Sequence, residues 1–232
     1  MSFDFLSFLT SPVFVVPWYG FGIAAAIFVF FDETTANKHV NEALKIGWPI
    51  LIFFFSVIGL YLYLVSCRPP GIIHQAGEQA REIHHAFVTV KWKKVLGSAI
   101  HCVAGDGLGI VTAMAVARLQ NFDFWTEFWY EYAVGFAFGW FIFQAWSMHN
   151  SGNGVLKSLW MAGRAEFFSM ITVMLGMGLV MRFVTPAVVG YSPDPNTAAF
   201  WGFASLGLLV GLIFTFPMNW LLVSIGWKHG MA

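Results

Sequence analysis

His101-Cys102-Val103-Ala104-Gly105-Asp106-Gly107-Leu108-Gly109 sits in the middle of an apolar run from 95 to 116. At about 1.5 Å of rise per residue, a helix through this run places Asp106 roughly 16 Å from its start, deep in a hydrocarbon core roughly 30 Å thick. A carboxylate there costs about 2.5–3.5 kcal/mol on insertion scales, so it has to face protein or water rather than lipid. Helical spacing sorts the neighbours into two rows. Ser98, Cys102 and Asp106 form one, and Gly97, His101, Gly105 and Gly109 form a small-residue groove that admits a second helix closely. A thiol, a carboxylate and an imidazole on one side of a buried helix suit a metal ion or a proton relay, and they suit interhelical hydrogen bonding equally well.

Working outward, the 232-residue chain is 58% hydrophobic, 19% aromatic and 10% charged, against roughly 45–50% apolar and about 25% charged in an ordinary soluble domain. Its 12 Lys and Arg balance its 12 Asp and Glu, which excludes a nucleic-acid partner, and two cysteines exclude a disulfide-stapled fold. Apolar runs recur at 13–31, 46–66, 95–116, 128–148, 163–181 and 198–222. They predict an all-α integral membrane bundle of six transmembrane helices, one domain over 1–232. The first run lacks the flanks of a cleaved signal peptide and is expected to stay as an anchor.

Six crossings place both termini on one face. Only Lys38, Lys45, Arg118 and Arg182 fall on the other, leaving the remaining eight of the 12 basic residues beside the termini. The positive-inside rule then makes both termini cytoplasmic in a plasma (inner) membrane, with Asp32 and Glu33 outside. Arg68-Pro69-Pro70-Gly71 stops the second run. Beyond it, Ile72, Ile73, Ala76, Ala80, Ile83 and Phe87 share an arc opposite Glu78, Arg81 and Glu82, predicting one amphipathic helix over 72–90, on the membrane surface or against the bundle.

A second pattern is the stripe Glu166, Met170, Met174, Met177 and Met181 at helical spacing in the fifth run. Thioethers suit monovalent copper, and methionine also fills apolar cores. Counting rises from the predicted ends sets Glu166 one turn in and Met174 and Met177 at the depth of Asp106. A bis-histidine haem is excluded because only His101 lies deep in a run, and a single Glu82-x-x-His85 falls short of a di-iron bundle. Cys67 and Cys102 differ too much in depth to pair.

Asp32, Trp48-Pro49, His101-Cys102 with Gly105 and Gly109, Ala165-Glu166 with Ser169, Gly176-Met177 and Met181, and the close Phe216-Pro217-Met218-Asn219-Trp220-Leu221 with Gly226, Lys228 and Met231 together resemble a family. It comprises bacterial and archaeal multi-pass membrane proteins carrying a domain of unknown function, with a His-Cys-x-x-Gly-Cys-x-x-Gly-Asp hallmark. This chain departs at Asp106, where the pattern has its second cysteine, and at Ile110, where it has its acid. The resemblance implies the membrane fold and no reaction.

No residue is assigned a catalytic role. The leading expectation is a non-catalytic accessory subunit that packs against other membrane subunits or copies of itself. The alternative is a transition-metal, copper-like, or proton-handling protein using His101, Cys102, Asp106, Glu166, Met170, Met174, Met177 and Met181.

Overall fold

A computed structural model describes residues 3–144 and 155–231, and those residues form helices joined by short connections, with no strand among them. Beyond a 3-10 segment Asp4–Thr10, the elements are α1 Pro12–Thr35, α2 Glu42–Ser66, α3 Gly77–Val88, α4 Lys91–Leu119, α5 Phe124–Ala137, α6 Val155–Leu179, α7 Thr185–Val189 and α8 Ala198–Ser224. Single π-helical stretches, Phe138–Gln144 and Val180–Val184, extend α5 and α6. Five helices are long and apolar enough to cross a membrane, namely α1, α2, α4, α6 with its extension, and α8. The fourth predicted run, 128–148, is α5 and its π stretch, and its last residues lie outside the described ones.

Length and composition qualify α2, but its path reverses midway. At Ser56 the backbone takes φ 50 and ψ −123, a left-handed value that a serine adopts only when its surroundings fix it. The helix turns back there. Residues 48 and 63 would stand about 22 Å apart in a straight helix, yet the Trp48 and Tyr63 rings lie 5.5 Å apart. A Cβ on Gly59 would come within 2.9 Å of the Ile52 Cα. The break leaves backbone groups that an apolar environment cannot satisfy, and α1 supplies their partners. The Trp18 indole donates to the Phe54 carbonyl at 2.9 Å, and the Ser56 hydroxyl donates to the Trp18 carbonyl at 2.7 Å.

The second predicted span is therefore a helical hairpin, and both of its feet stand at the C-terminal end of α1. There Arg68 forks onto Asp32 at 2.8 and 3.0 Å, while the Tyr63 hydroxyl donates to the same carboxylate at 2.7 Å. Asp32 and Glu33, expected in a connection on the face opposite Arg68, are buried helical residues beside it. Removing one crossing also separates the chain ends. Leu9 packs on Gly202 near the start of α8, whereas Met231 donates to the Lys94 carbonyl at 3.1 Å, past the far end of α8. The first and last described segments thus occupy opposite ends of the bundle, in place of the shared side expected from six crossings.

The amphipathic segment is shorter than 72–90. A 3-10 turn at Ile72–His74 precedes α3, and Thr89 and Val90 separate α3 from α4. Its packed row is Ala80, His84 and Val88, with Ile83 and Phe87 half-buried, while Ile73 and Ala76 are exposed. The arc turned because His84 docks: its Nδ1 lies 2.8 Å from Asn37 Oδ1, and the Asn37 amide donates to the Tyr63 hydroxyl and the Cys67 carbonyl, both at 3.1 Å. Burial, then the nearby His39 and His85, lowers the His84 imidazole to about 4.

Two predictions follow from this geometry. Cysteines placed at Lys38 and at Gln75 should be labelled from the same side of the membrane by an impermeant thiol reagent, whereas a continuous α2 would put them on opposite sides. For His84, the folded protein keeps the ring neutral while the unfolded chain protonates near its ordinary 6.5. The docking contribution is complete above that pH and is lost as pH falls toward about 4. Amide exchange in α3 should accelerate between pH 7 and pH 5 relative to α4, beyond the intrinsic pH effect, and His84→Gln should flatten that difference.

Candidate metal centre

Helix α4 is the bundle's axis. Gly109 lets α5 approach until a Cβ there would meet the Gly135 Cα at 2.7 Å, and Gly107 accepts Leu208 of α8. On the face between these contacts, the predicted row Ser98, Cys102, Asp106 is buried throughout. It meets two other elements there. Glu166 of α6 brings its carboxylate to the row, accepting from the Cys102 thiol at 3.4 Å. From beyond α8, Lys228 donates to Cys102 Sγ at 2.5 Å and to Ser169 Oγ at 3.3 Å.

One ligand atom each from Cys102, Asp106 and Glu166 lies within 4.8 Å of the others, and all three residues are fully buried. Apart from the contact between the two carboxyls themselves, neither Asp106 oxygen nor Glu166 Oε1 has a protein hydrogen-bond partner among the described residues. Two carboxylates this close in an apolar interior cannot both stay ionised without a positive charge between them or a shared proton. Gly139, in the π stretch after α5, forms the wall. A Cβ at that position would collide with Asp106 Oδ1 and Glu166 Oε1.

The sequence placed Cys102, Asp106 and Glu166 among the candidates, and the fold unites them. It does not do the same for the rest. His101 is buried next to Cys102 but is not part of this group. Glu166 is deeper than expected because α6 begins at Val155 rather than 163, which gives three turns instead of one before the carboxylate. With Glu166 level with Asp106, Met174 and Met177 lie about 12 Å and 16 Å further along the helix, not at the depth of Asp106. Met170 stays near, its methyl against Gly135, while Met177 packs on Gly207 and Met181 accepts from the Thr185 hydroxyl at 3.8 Å. Met170, Met174 and Met177 belong to the apolar core.

Lys228 and Gly139 were missed. A lysine six residues past an apolar run reads as a solvated basic flank, and only its place in the closing Gly-x-Lys pattern marked it. Gly139 was legible as half of Gly135-x-x-x-Gly139, but its role toward two carboxylates depends on the π stretch that aims it. Gly139→Ala should therefore destabilise the bundle by about 1–3 kcal/mol through overpacking. Gly178→Ala, with nothing within 4 Å of its Cβ, should be neutral or stabilising. Thermal unfolding of the two variants in detergent checks the contrast.

A family model described as a domain of unknown function, DUF4396, matches residues 91–228. The match opens on the first residue of α4 and closes on Lys228, so it spans Cys102, Asp106, Gly139, Glu166 and Lys228 and stops short of α1, the α2 hairpin and α3. The resemblance drawn from Asp32 and Trp48-Pro49 falls outside it. No curated protein and no solved structure matches the chain.

Proposed function

The chain belongs to the DUF4396 family, and we propose that it is an integral membrane protein whose bundle core binds a divalent transition-metal ion on Cys102, Asp106 and Glu166. The observation that carries this reading is the convergence of three buried ligand atoms within 4.8 Å, with carboxyl oxygens that, beyond each other, have no protein hydrogen-bond partner among the described residues. A sulfur with two carboxylates is a mixed donor set that suits a borderline ion of the zinc class better than monovalent copper, which prefers all-soft ligands. The methionine stripe therefore keeps a packing role. An accessory subunit would need no such group of ligand atoms in its interior.

The membrane placement belongs to the same proposal. With α2 re-entrant, the chain crosses by α1, α4, α5 with its extension, α6 and α8. All 12 lysines and arginines except Arg118 and Arg182 then lie at the end that holds Asp32, Lys94 and Lys228. That asymmetry exceeds the one expected from six crossings, and it puts this end in the cytoplasm and the Asp4–Thr10 segment outside. Helix α3, with exposed Glu78, Arg81 and Glu82, lies at the cytoplasmic surface. Phe124, Trp125 and Trp129, all exposed near the start of α5, form part of an aromatic belt at the outer interface.

The test is metal titration of the purified full chain in mild detergent. Wild type should bind about one Zn²⁺ or Cd²⁺ per chain, with thiolate-to-metal absorption in the cadmium form. Cys102→Ser and Asp106→Asn should each weaken binding by about tenfold or more while the protein still folds. A wild type that binds neither ion, yet releases protons in an Asp106-dependent step, would replace the metal by a proton.

A further inference from the structure

A divalent ion is not the first cation at this site. Lys228 is 3% exposed, and its ammonium donates to Cys102 Sγ, the sulfur that would ligate the ion. It occupies a metal's place on the sulfur. We infer that Lys228 is the resident counter-cation of the centre and that an entering divalent ion displaces it, undocking the segment 225–231 that carries it. This rests on the metal reading above and names how that site is regulated.

Three features of the segment support exchange rather than co-residence. First, two positive charges cannot share one sulfur in an apolar core, where charge repulsion is screened far less than in water. Second, Lys228 is held by a short fold-back, not by a helix. Gly226 turns the chain at φ 72, and the Trp227 and Lys228 amides both donate to the Leu222 carbonyl, at 2.9 and 3.2 Å. The lysine can leave without unwinding α8.

Third, the segment closes the site from the cytoplasmic end through the same helical row. The Ser98 hydroxyl, one turn before Cys102, donates to the His229 carbonyl at 2.8 Å. The Met231 amide reaches Ser98 Oγ at 3.2 Å and the Lys94 carbonyl at 3.1 Å. Gly97 is needed here, since any Cβ would collide with the Met231 carbonyl. Withdrawal of the ammonium therefore loosens a strand of contacts lying over the first two turns of α4, and the state of the core becomes readable at the cytoplasmic surface. Because linkage is reciprocal, whatever holds the segment down weakens metal binding by the same factor.

The experiment uses Cd²⁺ alone as the probe on the full chain. Two quantities are read, cadmium affinity from the thiolate absorption and hydrogen exchange of the 229–231 amides. In wild type, saturating Cd²⁺ should raise exchange at 229–231 by about tenfold or more, with little change along α4. Lys228→Met should bind Cd²⁺ about tenfold tighter or more, and its 229–231 exchange should no longer respond to the metal. Lys228→Arg, which keeps the charge, should not bind tighter. Binding by wild type with unchanged exchange at 229–231 would overturn the displacement and leave the metal site standing, as would equal affinity in Lys228→Met. Failure of wild type and Lys228→Met alike to bind Cd²⁺ would remove the metal site and this inference with it. The wild-type exchange measurement decides the matter even where a variant fails to fold.

Discussion

An ionisable or broken-backbone group inside an apolar bundle must find its partner within the protein, and that constraint organises both ends of this molecule. At the C-terminal end of α1 Asp32 could not remain buried alone; Arg68 reaches it with two hydrogen bonds and Tyr63 with a third. The pair closes only if residue 68 returns to the level of residue 32, which in turn requires the chain between them to go in and come back. Ser56 supplies the reversal, and Trp18 supplies the hydrogen bonds that the reversal would otherwise leave unmade. The hairpin, the ion pair and the indole contact are three consequences of one requirement.

The same requirement is met differently in the core. Asp106 and Glu166 are as buried as Asp32, yet no arginine reaches them. Instead they meet a thiol, a lysine from a distant segment and the bare backbone of Gly139. An Arg fork satisfies a carboxylate permanently, because its donors are rigid and its charge is fixed. A single lysine on a turn satisfies a carboxylate pair and a thiol only in part, and it can be withdrawn. On the inference drawn above, the contrast is between a structural charge and an exchangeable one.

How much of this could be read in the sequence follows from the range of the forces involved. The apolar runs and the Ser98-Cys102-Asp106 row depend on composition and helical period, which are local, and both are present in the structure. So is the small-residue approach at Gly109 and Gly135. The hairpin was not legible, because 46–66 has the length and hydropathy of a crossing and contains no glycine or proline at the break; Ser56 takes its left-handed backbone from contacts with α1, some 38 residues earlier. Losing that one crossing moved Lys38 and Lys45 to the other face and separated the two chain ends. Glu166 was identified but set two turns too shallow, since α6 starts at Val155, ahead of Lys157, and a search for uncharged runs assigns that stretch to a connection. Lys228 escaped because a charge beyond the end of a span looks solvated until the chain is seen to turn inward at Gly226.

The reach of the family match bears on which part of the fold is the functional unit. Residues 91–228 contain every group at the candidate centre, together with α4, α5, α6 and α8 that position them. The excluded portion, α1 to α3, touches the matched region chiefly through the α2 hairpin, whose Gly47 lies against the α4 backbone at His101. That contact falls on a different face of α4 from the Cys102 row, about 100° around the helix at His101. The hairpin therefore buttresses the helix that bears the site without contributing a ligand. Asn37, Tyr63 and His84 link α1, the hairpin and α3 through one set of buried hydrogen bonds. The N-terminal part is a brace built around its own buried charge, and the chemistry of the centre is complete without it.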